Sequence, residues 1–298
     1  MILNVRNNEV DINDNHNLKN PCRGYRVALT IAGSDSSGGA GIQADIKTLS
    51  ALGVYGASAI TAITAQNTLG VVSQLPIHPQ MVYDQIVAVM DDLSPSVAKI
   101  GMLANSDIVV AVAEALRDYT LPIILDPVIV STSGHRLLSL EAEEVLKQNL
   151  LPMATLVTPN IPEIEALAEM TITTYEDKVC AAERLFHYGT KAILLKGGHE
   201  EGDTKSDILF TNTPSGIHST LYTSDTISTR NTHGTGCTLS SAIAAYIARG
   251  CKLEEAISRA KEYVTESIRH GADIAIGHGF GPVNHGFNPQ KMLTYEIE

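Results

Sequence analysis

The stretch 27-VALTIAGSDSSGGAGIQADIKTLSAL-52 decides how this chain folds. VALTIAG (27–33) is a short, nearly unbroken apolar run and reads as a buried strand. GSDSSGG (33–39) is a loop, and a helix is expected over 40–52. A continuous apolar strand leading directly into a helix is the unit of a parallel sheet covered on both faces.

The same alternation continues along the chain. ASAITAITAQN (57–67) reads as a strand before a helix over 79–92. AKIGM (98–102) precedes a helix over 106–118, and LPIILDPV (121–128) precedes one over 139–150. TLVTPN (155–160) leads into helices over 161–169 and 176–188. KAILLKGG (191–198) is the last strongly apolar strand. DILFTN (207–212) and IHSTLYTSDTIS (217–228) read as a β-meander added antiparallel at the sheet edge, and two helices follow over 236–249 and 253–270. The Asn- and Asp-rich start lacks apolar periodicity, so residues 1–24 are expected to be a poorly ordered tail and 25–298 one domain.

Bulk properties exclude several function classes. A formal charge of −12 and a pI near 5.3 argue against a basic face for nucleic acid or anionic membrane. No apolar run reaches the roughly 18–20 residues a membrane span requires, and the start has no signal-peptide pattern. The four cysteines, Cys22, Cys180, Cys237 and Cys251, are widely spaced and form no CxxC pair. Free thiols in a reducing, cytoplasmic setting are therefore expected.

In doubly covered parallel sheets, ligands sit beyond the carboxyl ends of the strands. Ser34, Asp35, Gln66, Asn67, Asp126, Asn160 and Lys196 gather there. GGAGIQA (38–44) has the glycine spacing of a dinucleotide fingerprint. The next strand, however, ends in Gln66-Asn67 rather than the acid that would bind a ribose. GSDSSGG fails as a Walker A loop, because Gly39 and Ala40 stand where Lys and Ser/Thr belong. GTGC (234–237) opens a helix, where outward N–H donors and the helix dipole favour an anion. That position would also lower the pKa of Cys237 and favour its thiolate. A glycine turn with a small buried cysteine is the alternative. Asn160 and Glu163, three apart at a helix start, are placed to hold a hydrated Mg²⁺ or to form a capping box. Lys196 is a candidate phosphate ligand or a lysine reaching past a strand end. His233 and His199, in glycine-flanked loops, read as hydrogen-bonding residues.

Eight stretches run in order between about residues 26 and 286: ALTIAGSDSSGGAGIQADIKTLSALGVYG, TAITAQNTLGV, KIGML, LDPV, TPNIPE, LLKGGH, NTHGTGCTLS and GHGFGPVNH. Together they resemble the hydroxymethylpyrimidine/phosphomethylpyrimidine kinases of thiamine biosynthesis, a branch of the ribokinase-like superfamily. The resemblance implies a three-layer α/β/α fold with a mainly parallel central sheet and a small antiparallel edge addition. It implies ATP and Mg²⁺ as cofactors, a small-molecule pyrimidine substrate and a homodimer. By this similarity Gln66 hydrogen-bonds the aminopyrimidine, and Gly33, Asp45, Met102 and Val128 line its pocket. The backbone of Gly234, Thr235 and Gly236 forms the anion hole, and Cys237 acts as base or orients the hydroxyl. Lys196, Thr158 and Asn160 serve the nucleotide, while Asp126, Asn160 and Glu163 support Mg²⁺. A pyridoxal kinase and a non-catalytic precursor-binding protein on the same fold are the rival readings.

Overall fold

The computed structural model describes residues 22–130, 136–197 and 202–297. The expected tail over residues 1–21 and His199 lie outside the described residues. Along the chain the elements are β1 (Arg23–Tyr25), β2 (Val27–Asp35), α1 (Gly41–Ala51), β3 (Tyr55–Asn67), β4 (Gly70–Pro76) and α2 (Pro79–Leu93). Next come β5 (Val97–Ile100), α3 (Ser106–Leu116), β6 (Ile123–Leu125), α4 (Leu140–Asn149), β7 (Leu156–Val157), α5 (Ile161–Ala168) and α6 (Tyr175–Phe186). The last are β8 (Ala192–Leu195), β9 (Thr204–Thr213), β10 (Gly216–Asp225), α7 (Thr235–Ala248), α8 (Leu253–Arg269) and β11 (Thr294–Glu296).

The main sheet has the order β10-β9-β8-β7-β6-β5-β2-β3-β4. Strands β8 through β3 in that order run parallel, and β9, β10 and β4 pair antiparallel at the two edges. Successive side chains of a strand point to opposite faces, and here both faces are apolar. Ile123 and Leu125 join the core beneath α2–α6, while Ile124 joins the core beneath α1, α7 and α8. That double burial is why the strands read as unbroken apolar runs.

Two elements departed from the expected outline. The β9–β10 addition is present as read, but a second antiparallel strand, β4, caps the opposite edge. Its residues are half-buried or exposed with none buried and no strict alternation, so GVVSQLP carries no core signal. The short pair β1–β11 ties Arg23–Tyr25 to the carboxyl-terminal segment, so ordered structure begins inside the span expected as tail.

Strand order reverses at β2, whose neighbours β3 and β5 are reached by connections on opposite faces. Ligands favour the carboxyl ends of strands at such a switch point. The ends of β2, β3, β5, β6, β7 and β8, with the start of α7, therefore frame the site.

Candidate active site

The loop before α7 packs directly on the loop after β2. Gly234 has φ +80°, a left-handed conformation, and a Cβ there would lie 1.8 Å from the Gly39 carbonyl oxygen. Only glycine fits that approach. The first backbone bond of α7 runs from Thr238 N–H to Gly234 O, at 2.8 Å. The Gly236 and Cys237 amides thus form the open first turn and have no acceptor among the described residues. The Thr235 amide already donates to Thr232 O, as does its hydroxyl. Of the three residues expected to form an anion hole, Gly234, Thr235 and Gly236, only the Thr235 amide is seen to be occupied, and the Cys237 amide lies beside that of Gly236 without an acceptor among the described residues.

Cys237 corrects a second expectation. Burial pushes its thiol up to about 11, against help from Lys99 and the Gly41 amide, so the helix end does not make it a thiolate. Lys99 is one of the largest fully buried side chains, and its Nζ lies 2.9 Å from each oxygen of Asp45. Although burial opposes the charge, Asp45, with Asp126 nearby, holds this lysine firmly protonated. Asp45 also accepts Thr30 Oγ1 and Ser241 Oγ, both at 2.6 Å. With no exposed surface and its oxygens occupied, Asp45 forms the floor beneath the site rather than its lining. Sequence reading missed Lys99. The available signal was a charged residue inside the apolar run AKIGM, because a buried charge requires a partner.

The ends of β6, β7 and β8 contribute a charged cluster. Asp126 Oδ1 lies 2.9 Å from Lys196 Nζ, and Glu163 Oε2 lies 3.6 Å from the same nitrogen. Ser240 Oγ donates to Asp126 Oδ2 and Thr158 Oγ1 to Asp126 Oδ1. Thr158 is wholly buried, so it braces the carboxylate and presents nothing to a nucleotide. Burial opposes ionisation of Asp126, but Lys196 and Lys99 outweigh it and lower its pKa. Glu163 is pushed up to about 7 by burial beside Asp126, which the single Lys196 only partly offsets. Both halves of the capping box are made: Asn160 Oδ1 accepts Glu163 N–H at 2.9 Å, and Glu163 Oε2 accepts Asn160 N–H at 2.8 Å. Gly236 lets this cluster approach the helix start, since a Cβ there would stand 3.4 Å from Lys196 Nζ and 3.7 Å from Asp126 Oδ2.

A third group sits at the ends of β2 and β3. Ser36 Oγ donates to Gln66 O at 2.7 Å and accepts Gln66 N–H at 2.8 Å. His233 Nε2 lies 2.8 Å from Asp35 Oδ2 and 3.3 Å from the Gln66 amide. Met102 lies against Gly33, where a Cβ would meet its sulfur at 2.8 Å, and Val128 is half-buried after β6. Two shallow hollows of about 380 and 490 Å³ lie between α5 and α6 and between α2 and α3. Neither holds any of these residues, so chemistry rather than concavity defines the site.

A family model described as phosphomethylpyrimidine kinase matches residues 35–284. The chain belongs to the phosphomethylpyrimidine kinase family. The kinase is 46% identical over 260 residues to a hydroxymethylpyrimidine/phosphomethylpyrimidine kinase of Rhizobium meliloti, covering 87% of this chain and 96% of that one. It is 48% identical over 258 residues to the thiamine biosynthesis bifunctional protein ThiED of Geobacter sulfurreducens, covering 86% of this chain. It spans about half of that longer protein, 51%. A crystal structure of phosphomethylpyrimidine kinase from Clostridium difficile 630 superposes with a TM-score of 0.71 at 43% identity, covering 81% of this chain and 99% of that one. An ADP complex of Bacillus subtilis pyridoxal kinase superposes with a TM-score of 0.80 at 34% identity, covering 88% and 98%. The ribokinase-like architecture expected from sequence is therefore the architecture found.

Proposed function

We propose that this kinase transfers the γ-phosphoryl group of ATP to the hydroxymethyl oxygen of 4-amino-5-hydroxymethyl-2-methylpyrimidine. It then phosphorylates the resulting monophosphate, giving the pyrimidine pyrophosphate used to build thiamine. The observation that carries this reading is a convergence at the start of α7. The segment His233–Cys237 touches both groups: His233 meets the Gln66 amide, and Gly236, beside the free Cys237 amide, approaches Lys196 and Asp126 of the charged cluster.

Phosphoryl transfer asks mainly for positioning and charge stabilisation. The α7 amides and Lys196 are suited to the charge spread over the transferring group. Asp126 and Glu163 share one ammonium, and burial first, with Asp126 beside it, raises the pKa of Glu163. Two carboxylates, with no third His, Cys, Asp or Glu joining them among the described residues, suit Mg²⁺, which keeps several waters. When bound, Mg-ATP supplies the phosphoryl group and the cation neutralises its developing charge. Cys237, protonated at neutral pH, orients the substrate hydroxyl rather than accepting its proton at the outset. Free cysteines accord with a cytoplasmic setting. Ile63, Leu69, Val72 and Leu75 leave apolar side chains exposed on the β3–β4 hairpin, which supports a homodimer through that edge.

A coupled assay of ADP release with hydroxymethylpyrimidine, its monophosphate and pyridoxal tests the proposal. Turnover with both pyrimidines is expected. No turnover with either would refute it, and turnover with pyridoxal alone would assign the chain the activity of its structural neighbour.

A further inference from the structure

Gln66 closes β3 among neighbours whose protons can be counted. Asp35 accepts four donors from its own loop. Oδ1 takes Ser37 N–H at 2.8 Å and Ser37 Oγ–H at 2.7 Å, and Oδ2 takes Ala40 N–H at 2.8 Å and Gly39 N–H at 3.2 Å. Burial opposes its charge, but these donors and His233 hold its carboxyl well below the usual carboxylate range. Asp35 is therefore an acceptor only. His233 Nε2, 2.8 Å from Asp35 Oδ2, must carry a proton, since an unprotonated nitrogen there would set lone pair against lone pair.

That assignment has a consequence 3.3 Å away. A protonated Nε2 has no lone pair for an N–H of Gln66, so the amide must turn its oxygen toward the ring. A second count agrees independently. Thr64 Oγ1 lies 2.9 Å from Ser34 O and 3.2 Å from the other end of the Gln66 amide. Its single proton goes to the carbonyl, so Thr64 can only accept from Gln66. Amide oxygen and nitrogen are assigned by such networks rather than seen directly. One half-turn of the Gln66 amide gives Nε2–H an acceptor in Thr64 and sets Oε1, rather than a second N–H, against the His233 N–H that is bonded to Asp35.

We propose that Asp35 and His233 are a positioning pair that locks the Gln66 amide in this orientation, making it a reader of one donor–acceptor order. The locked amide retains one free N–H on the Thr64 side and the lone pairs of Oε1 on the His233 side. Its complement is a ring nitrogen lying beside an exocyclic amine, with the amine nearer His233. The assignment of that ligand rests on the function proposed above; the proton count does not. The seat of the imidazole is built in: a Cβ on Gly39 would stand 2.4 Å from His233 Cδ2, and Ser36 fixes the Gln66 backbone. Neither Asp35 nor His233 needs to touch the reacting atoms.

The test uses the full chain labelled with ¹⁵N-histidine. Long-range ¹H–¹⁵N correlation reports whether each ring nitrogen bears a proton, and His233→Phe assigns the His233 signals by their loss. A protonated, pyrrole-type Nε2 is expected; a pyridine-type Nε2 overturns the proposal. In parallel, wild type, Asp35→Asn and His233→Phe are assayed with hydroxymethylpyrimidine and with the analogue carrying a carbonyl oxygen in place of the amine. A freed amide loses about one neutral hydrogen bond to the correct ring, so KM should rise roughly tenfold with kcat within about twofold. Discrimination against the oxo analogue should relax by at least as much, because a freed amide can turn to meet it. Variants that lose kcat but keep full discrimination would mark the pair as merely structural. Wild type inactive on the pyrimidine, with Nε2 protonated, would overturn the proposed substrate and leave the proton assignment standing.

Discussion

Replacing Lys99 with Met asks whether the buried floor of the site is held by charge. The ammonium lies at hydrogen-bond distance from both Asp45 oxygens, and the side chain is 1% exposed. Methionine fills most of the same volume, so packing is largely preserved and the change is mainly electrostatic. Asp45 keeps the donors Thr30 and Ser241 but loses its counter-ion in a site with no water access. Removing one member of a buried pair typically costs about 3–5 kcal/mol, a large share of the roughly 5–15 kcal/mol that holds a domain together. Urea denaturation should therefore show a markedly lower midpoint at unchanged slope. Lys99→Met combined with Asp45→Asn should recover roughly half the loss or more, because the orphaned charge is gone while Thr30 and Ser241 keep an acceptor. The single variant should also push the Cys237 thiol higher still, since Lys99 opposes the effect of burial. A Lys99→Met midpoint within about 1 kcal/mol of wild type, or a double-mutant cycle without coupling, would refute the argument.

Other perturbations address the catalytic edge. Cys237→Ala should abolish turnover while leaving pyrimidine binding by calorimetry largely intact. Alkylation of Cys237, followed by peptide mass mapping, should be slow at neutral pH and accelerate only as pH approaches about 11; fast alkylation near pH 7 would restore the thiolate. Glu163 titrates at about 7 in the folded chain against an ordinary value of 4.5, so the folded state binds more protons across that window. Its ionisation therefore lowers stability as pH rises from about 4.5 to about 7. Glu163→Gln should gain stability relative to wild type across the same interval in thermal melts, and a flat difference would contradict the assignment. Gly234→Ala should lose activity and more than about 2 kcal/mol of stability, because left-handed strain is joined by a carbonyl clash. Gly216→Ala has positive φ but open space around it, and should show the strain alone.

The parallel core was legible because both faces of each central strand are buried, which writes an unbroken apolar run into the sequence. Strand β4 was not legible, since an edge strand with one wet face carries no such run. Pairing of β1 with β11 was equally silent: two three-residue strands, Arg23–Tyr25 and Thr294–Glu296, far apart in sequence, meet only through the fold. At the site, residue types were readable but environments were not. A cysteine at a helix start reads as a thiolate, yet the thiol lies deep enough that desolvation outweighs the helix end. Asp45 and Thr158 read as ligand contacts because their motifs adjoin the site, but both point inward to brace other groups. The capping box of Asn160 and Glu163 engages Asn160 Oδ1 and Glu163 Oε2 and leaves Glu163 Oε1 outside the cap, so a cap and a metal-supporting carboxylate do not exclude each other at Glu163.

The three parts of the site are joined by one helix. Ahead of α7, His233 meets Asp35 and Gln66, and Gly234 packs on Gly39. Within its first two turns, Gly236 and Cys237 present their amides, Ser240 donates to Asp126, and Ser241 donates to Asp45. Adjacent residues on a helix project about 100° apart, so Ser240 and Ser241 reach two separate carboxylates, Asp126 at the end of β6 and Asp45 on α1. The small, buried, polar-and-alanine character of TLSSAIAAYIA follows from that duty: bulkier side chains would lift the helix from the strand ends and part the amides from Lys196. Nearly the whole surface of α7 is buried, so it cannot rotate to favour one carboxylate without disturbing the other. Ser240→Ala and Ser241→Ala therefore separate the two supports. The first should weaken the Lys196–Asp126 cluster and depress kcat. The second should destabilise the Lys99–Asp45 floor and lower the unfolding midpoint by about 1–3 kcal/mol. Equal effects of both variants on kcat and stability would mean that α7 acts as an undifferentiated packing element, and the two-carboxylate account would fall.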